Sequence, residues 1–332
     1  MKFLPDQIVA RLQTEMQTPD LSGTRYSALK LLGRGGMGTV WLAEDSVLHR
    51  TVALKVLSVE SSSADLAARL MQEALVLARL EHPGIVPVHD AGILSDGRTF
   101  YCMKFVEGQT LDQHIKNLSL RQRLHLLQRI AEPLAFAHSR GIIHRDLKPG
   151  NIMVGAFGEV LIMDWGLAKV VAASHARGAV VPTEGPSLSE HQPGHSSIDK
   201  SSGTTTAHGT VLGTPGYMAP EQERGEVKSI DQRTDVFGLG SILQYMMRNE
   251  SVSRPLQGIC RKAMAEEMSA RYPSVAELAG DVGKYLDDMP VSAYRENILE
   301  RTARLISRNR VAVVLVLAYL LMRILFILFS RQ

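Results

Sequence analysis

Between His144 and Gly166 the chain reads His-Arg-Asp-Leu-Lys-Pro-Gly-Asn and then, thirteen residues beyond Asn151, Asp-Trp-Gly. Two short apolar runs, Ile152-Met153-Val154 and Val160-Leu161-Ile162-Met163, lie between these clusters and read as buried strands. A carboxylate (Asp146), an ammonium (Lys148), a carboxamide (Asn151) and a second carboxylate (Asp164) therefore stand at strand ends, on rigid supports. Four such groups converging on one point suit a metal-bound phosphate and a hydroxyl about to attack it. The competing reading is a turn with scattered polar residues. Either way, the fold has to hold this loop–strand–loop against a core.

The 332 residues leave room for one large domain or two small ones with tails. At 45% hydrophobic and 21% charged, the chain can bury a sizeable core. A formal net charge of +3 is too small to argue for a nucleic-acid partner, and none is expected. Cys102 and Cys260 make neither a zinc spacing nor a disulfide framework, which points to a reducing compartment. The start, Met1-Lys2-Phe3-Leu4-Pro5-Asp6, lacks the apolar core of a signal peptide. Residues 1–24 read as an N-terminal surface extension.

Gly33, Gly35 and Gly38 form G-x-G-x-x-G, a pattern that on its own also fits a dinucleotide-binding unit. That rival needs a helix after the last glycine, whereas Thr39-Val40-Trp41 is β-branched and aromatic and continues as strand. Strand, glycine turn, strand suits a flap whose backbone N–H groups lie over phosphates. Thr51 to Leu57 is a strand with Lys55 inside its apolar run. A helix from about Ala64 to Leu80 carries the stripe Leu66, Leu70, Ala74, Leu77 and Leu80, and Glu73 falls on that stripe. A carboxylate on a buried face needs a cation, and Lys55 is the obvious one. The alternative leaves Glu73 at the stripe edge, in water.

Further on, Ile85–Val88 and Phe100–Met103 read as strands joined through a turn at Ser95-Asp96-Gly97. Thr110 opens a helix as a capping box with Gln113. Leu120, Leu124, Leu127, Ile130, Leu134 and Ala137 mark a long core helix ended by Gly141, with Pro133 inside it. Ser274 and Glu277 form a second capping box.

The ordered set Gly33–Val40, Val52–Lys55, Glu73, His144–Asn151, Asp164–Gly166, Gly213–Glu221 and Asp235–Gly240 resembles the bacterial, eukaryotic-like (Hanks-type) serine/threonine protein kinases over residues 26–289. The resemblance implies an α+β bilobal fold: a small β-rich N-lobe (25–106) and a larger helical C-lobe (107–289), joined by a hinge at Lys104–Val106. It also implies ATP and Mg²⁺ as cofactors and Ser/Thr-bearing proteins as substrates, with a homodimer for trans-autophosphorylation among the partners it allows. By the same likeness, Asp146 accepts or orients the hydroxyl proton. Lys148, at a position typical of Ser/Thr kinases, neutralises the transferring group, and the Lys55–Glu73 pair holds phosphates. Asn151 and Asp164 hold the metal. Gly33, Arg34, Gly35, Gly36, Gly38, Val40, Ala53, Lys55, Met103, Lys104, Val106 and Met153 line the nucleotide site. Trp165 replaces the family's usual Phe and keeps a large apolar ring there. The alternative on the same fold is a pseudokinase, a nucleotide-binding or docking scaffold without transfer.

Residues 170–209 turn Ser-, Gly-, Thr- and His-rich and lose apolar periodicity, so a mobile activation-segment insertion is expected. Pro193 and Gly194 between His191 and His195 argue against a helical metal site. Thr204, Thr205, Thr206 and Thr210 are phosphorylation candidates, with Arg145 as the landing site for a phosphothreonine. Arg271 fits as ion-pair partner for Glu221, and the stretch between Met247 and Pro255 is shorter than the family's.

The last change of class is at the C-terminus. Residues 290–310 form a basic juxtamembrane segment carrying Arg301, Arg304, Arg308 and Arg310, and residues 311–329 are nearly all apolar. As a helix the latter spans about 28 Å, close to the hydrocarbon thickness. The expectation is a single transmembrane helix in the cytoplasmic (inner) membrane, with the kinase domain cytosolic by the positive-inside rule. Arg323 would snorkel. With three residues after it, no external sensor is expected, and a buried soluble helix is the alternative.

Overall fold

The computed structural model describes residues 18–35, 38–58, 64–170, 216–226, 229–298, 300–302 and 310–329. Five antiparallel strands, β1 (Tyr26–Arg34), β2 (Gly38–Asp45), β3 (Arg50–Leu57), β4 (Val88–Ile93) and β5 (Thr99–Lys104), form one sheet in the order β1-β2-β3-β5-β4. Alternation along β3 divides its side chains between two cores. Val52, Leu54 and Val56 join Tyr26, Trp41, Phe100 and Cys102 on the outer face. Ala53 and Leu57 face inward, and Lys55 shares their parity.

Helix α1 (Ala64–Ala78) lays Leu70, Ala74, Val76 and Leu77 against that inner face, with Glu73 buried among them. It stops two residues short of Leu80, which is still buried beyond the helix end. β4 starts only at Val88; Ile85, expected in that strand, instead makes an isolated parallel bridge to Ile162.

The inner core continues through Val106 and Leu111 into the helical lobe. Its helices are α2 (Leu111–His114), α3 (Leu120–Ser139), α4 (Pro220–Glu223), α5 (Gln232–Met246), α6 (Arg254–Ala263) and α7 (Val275–Leu286). Helix α3 buries Leu124, Leu127, Ile130, Leu134 and Ala137, as its period requires, and Gly141 follows at φ 71°. Pro133 is buried in α3 with its ring against Gly84, where an added Cβ would fall 2.9 Å from Cγ. Helix α5 is buried on nearly every side from Thr234 to Leu243.

Two caps differ from expectation. Thr110 makes no side-chain cap bond: it closes β6 (Gly108–Thr110) opposite Met153, and α2 behind it is one turn long. The capping box falls at Ser119–Gln122, at the start of α3. Ser274 caps α7 by accepting from the Glu277 N–H at 3.2 Å.

No helix intervenes between α5 and α6; Arg123 holds the short link through the Met246 carbonyl (2.8 Å) and Glu250 (3.4 Å). Beyond α7, buried Asp281 accepts from the Ser292 and Ala293 amides, the Ser292 hydroxyl and Tyr272, and Val291 is buried. That ties the chain leaving the lobe onto α7.

Helix α8 (Arg310–Phe329) exposes its described apolar side chains from Val314 to Met322. Among the described residues no helix is long and apolar enough to cross a membrane. The side chains at 310–312, 324–325 and 327–329 lie outside that description.

Candidate active site

After the two-residue strand β7 (Ile142–Ile143), β8 (Ile152–Gly155) pairs with β6 on one side and with β9 (Val160–Ile162) on the other, below the hinge, and β8 and β9 present the polar loops at their ends. The catalytic-type loop is fixed from beneath by α5. Buried Asp235, at its first turn, accepts from the backbone N–H groups of His144 and Arg145 (2.9 Å each) and from His138 Nε2 (2.7 Å). Burial pushes this carboxyl up, but His138, His144 and the Arg145 amide outweigh it and hold it below its usual range. Arg145 and Asp164 both adopt left-handed backbone, φ 72° and 58°, uncommon for residues other than glycine. Asp164 is thereby turned toward the cleft, while the next residue, Trp165, packs inward at 1% exposure, edge-on to His144.

In that cleft, Lys148 Nζ lies 2.8 Å from Asp146 Oδ2. Asn151 donates from Nδ2 to the Asp146 carbonyl (2.9 Å) and to Oδ2 (3.1 Å), which leaves its amide oxygen as a hard neutral ligand atom. Across the cleft, Lys55 Nζ sits 2.8 Å from both Glu73 oxygens and 3.0 Å from Asp164 Oδ1. Burial works to discharge Lys55, but the charges of Glu73 and Asp164 outweigh it and raise its pKa. Burial pushes the Glu73 carboxyl up despite Lys55 and a bond from Tyr101. Asp164 also feels burial, but Lys55, with His144 and Lys148, holds it below its usual range.

The cleft has a volume of about 410 Å³, and Gly33, Arg34, Gly35, Gly38, Val40, Lys55, Met103, Asp146, Lys148, Asn151 and Asp164 all line it. Ala53, Val106 and Met153 pack in the core beside it, Lys104 is exposed at the end of β5, and Gly36 lies outside the described residues. Gly38 is needed for the close β2–β3 approach, because a Cβ there would fall 2.2 Å from the Val56 carbonyl oxygen. The four threonines 204, 205, 206 and 210, and most of the 170–209 insertion, also lie outside the described residues.

Glu221 and Arg271, both fully buried, pair through Oε1–Nη1 (2.9 Å) and Oε2–Nη2 (2.8 Å), with Thr234 donating to Oε1.

Two contributors were not identified from sequence. Tyr101 stands opposite Lys55 in the β3–β5 register and donates to Glu73 Oε1 at 2.9 Å. Asp235 reads in sequence only as the start of a buried helix; a carboxylate inside an apolar run was its signal, as it was for Glu73.

Residues 26–289 match the family described as protein kinase domain. The chain is similar to the serine/threonine-protein kinase PknD of Chlamydia felis, 34% identical over 310 residues, covering 80% of this chain and 31% of that protein. It is also similar to PknD of Chlamydia muridarum, 38% identical over 297 residues, covering 76% and 31%. The chain thus spans about a third of the length of these curated relatives. In fold it is similar to the crystal structure of the Mycobacterium tuberculosis PknI kinase domain, with a TM-score of 0.55 and 24% identity, covering 80% of this chain and 98% of that one.

Proposed function

The chain belongs to the protein kinase family, and from that membership and the cleft we propose that it is a serine/threonine protein kinase transferring the γ-phosphoryl group of ATP to protein hydroxyls in bacterial signalling. The observation that carries the proposal is Lys55 Nζ bridging Glu73 and Asp164 within 3.0 Å, opposite Asp146, Lys148 and Asn151.

The donor set suits the cofactors the family uses. Among the described residues no three His, Cys, Asp or Glu side chains cluster as a metal cage. One half-exposed carboxylate (Asp164) and one carboxamide oxygen (Asn151) remain. That is the sparse oxygen set of Mg²⁺, which takes its other ligands from phosphates and water. When bound, Mg²⁺ supplies charge neutralisation at the phosphates. Apolar Val40, Met103 and Met163 suit an adenine ring beside the glycine flap. In the transfer, the substrate oxygen attacks the γ-phosphorus and the bond to the β–γ bridging oxygen breaks. ADP leaves with that electron pair, and the hydroxyl proton passes to Asp146. Lys148, 2.8 Å from Asp146, offsets charge on the moving group.

The regulatory part of the proposal is autophosphorylation within 204–210. Arg145 supports it: its Nε is buried and has no hydrogen-bond partner among the described residues, so a phosphothreonine could supply one. We also place the chain at the cytoplasmic membrane through residues 311–329, with the kinase lobes cytosolic. The apolar run and the four arginines before it support this reading.

The test is radiolabelled ATP with the full chain, wild type beside Asp146→Asn. Label on a Ser/Thr-rich protein should fall by about 10²–10⁴ in the variant. Equal labelling of both would leave a docking scaffold instead of an enzyme.

A further inference from the structure

Where the chain leaves the helical lobe it does not hang free. Beyond its clasp on Asp281, Ser292 takes a bond at its hydroxyl from Lys262 Nζ on α6 (3.1 Å). The chain then runs so close to α6 that a Cβ on Gly258 would fall 3.1 Å from the Ala293 carbonyl oxygen. Tyr294 donates from its hydroxyl to both Glu300 oxygens (3.0 Å each), and Arg254, in the first turn of α6, reaches the same carboxylate at 3.5 Å. Glu300 also accepts from the Asn297 N–H (3.1 Å), and the Arg301 N–H donates to the Asn297 carbonyl (2.9 Å). A helical turn thus opens at Ile298 with its acidic side bound to the lobe.

That fixes which side looks outward. Ile298 and Thr302 stand two residues either side of Glu300, about 200° round a helix, and both are exposed, Ile298 at 82%. Arg301 is exposed beside them. In sequence the same spacing continues: Leu305 and Ile306 follow Ile298 by seven and eight residues, and Arg304 and Arg308 follow Arg301 by three and seven. No Asp or Glu occurs after Glu300. An apolar stripe flanked by arginine and by no acid is the pattern of a helix lying in a lipid–water interface.

We propose that this face of the lobe rests on an anionic lipid surface, with Ile298 and its stripe entering the boundary between headgroups and acyl chains and the arginines pairing with phosphates. The inference deepens the membrane placement proposed above, but it stands on residues ahead of the apolar run 311–329 and does not need that run to span. The chain itself selects lipid over an acidic protein as the occupant. Only residues 303–309 separate the described turn from Arg310, at most about 29 Å of extended chain, so the surface that takes up the apolar run lies within reach of Ile298. Because the turn is clasped to α6 and α7, the contact holds the kinase lobes against the bilayer instead of on a free leash.

Cys102 and Cys260 are both buried, so one added cysteine can carry a probe. Thr302→Cys bearing an environment-sensitive fluorophore, in the full chain reconstituted into vesicles, reads the contact. In phosphatidylcholine alone the probe should report mostly water. With phosphatidylglycerol added, its emission should shift to the blue and be quenched by nitroxides at shallow acyl positions. Each arginine is worth about fivefold near such a surface, so changing Arg301, Arg304 and Arg308 together to Gln should lower the contact equilibrium by about 10²-fold. Ile298→Asp should lower it too, and because Ile298 and Arg301 are exposed, both variants should keep the wild-type melting temperature. A probe equally dry in both lipids, or indifferent to these changes, would overturn the proposal, because it would then only be following the apolar run. A probe in water throughout would overturn it while leaving the span intact if the chain still resists carbonate. Carbonate release with the lipid-dependent shift retained would do the reverse, removing the span and leaving this contact in place.

Discussion

Tyr101 does for Glu73 what Lys55 does alone in a two-residue reading of the pair: it favours the ionised carboxylate against burial. Burial pushes the Glu73 carboxyl up, and the charge of Lys55 and the Tyr101 hydroxyl both oppose that rise. Removing the hydroxyl removes one opposing interaction, so Glu73 takes its proton at still higher pH and the clamp on Lys55 loosens earlier on acidification. Tyr101→Phe should therefore move the acid limb of the kcat/KM profile to higher pH, measured with ATP varied, and cost about 1–2 kcal/mol of stability. A profile unchanged from wild type would reduce Tyr101 to a packing residue. Lys55, Glu73, Asp146, Lys148, Asn151 and Asp164 could be identified from sequence because each sits in a short motif whose chemistry is local. Tyr101 could not, because its role depends on a strand register that sets it opposite Lys55 from 46 positions away. The same holds for Asp235, whose acceptors' partners, the His144 and Arg145 amides, lie 90 or more residues earlier.

At the scale of elements, the tie between α4 and the loop before α7 carries more of the fold than its two residues suggest. Arg271 and Glu221 are both out of water, and Arg271 donates also to the Ala265, Arg233 and Glu266 carbonyls. Breaking such a pair from one side leaves an uncompensated charge, so Arg271→Ala should cost about 3–5 kcal/mol. Burial pushes the Glu221 carboxyl up, but the bonds from Arg271 and Thr234 prevail and its folded pKa lies below the model-compound 4.5. A depressed carboxyl contributes stability that is complete above its unfolded pKa and is lost as pH falls through the folded one. Thermal melts should thus be flat down to about pH 5 and fall below about 4.5, and the fall should be shallower in Glu221→Gln. Asp281, also held low despite burial by its bonds from Ser292, adds to the loss in the same direction. The caps show where element-level reading from sequence stops. Both Thr110-x-x-Gln113 and Ser119-x-x-Gln122 satisfy the pattern, and only the second precedes a helix long enough to leave aligned amides to cap. Ser119→Ala should cost about 1 kcal/mol in a denaturant titration, and Thr110→Ala no capping energy.

On the scale of the whole molecule, the two lobes share one continuous core, while the C-terminal helix leaves its described apolar side chains from Val314 to Met322 exposed. Leu315, Leu317, Leu321 and Met322 are each 60% exposed or more, which in water is an aggregation hazard and in a bilayer is the stable arrangement. Twenty residues at 1.5 Å each reach about 30 Å, but among the described residues the helix does not qualify as a membrane span, so insertion is a proposal that rests on the apolar run of the sequence. Arg323 is the obstacle; near one end its long side chain can reach the headgroups, at a cost of a few kcal/mol that the other apolar residues exceed. If residues 311–329 insert, the full chain should stay with membranes through alkaline carbonate washing, and a chain ending at residue 302 should be released. On the proposed insertion, the four arginines before the run would keep the kinase lobes on the cytosolic side. Externally added protease should spare the kinase lobes in intact cells, and replacing Arg301, Arg304, Arg308 and Arg310 with Gln should make a fraction of them accessible. Release of the full chain by carbonate, with α8 present, would leave that helix to be covered by protein instead of lipid.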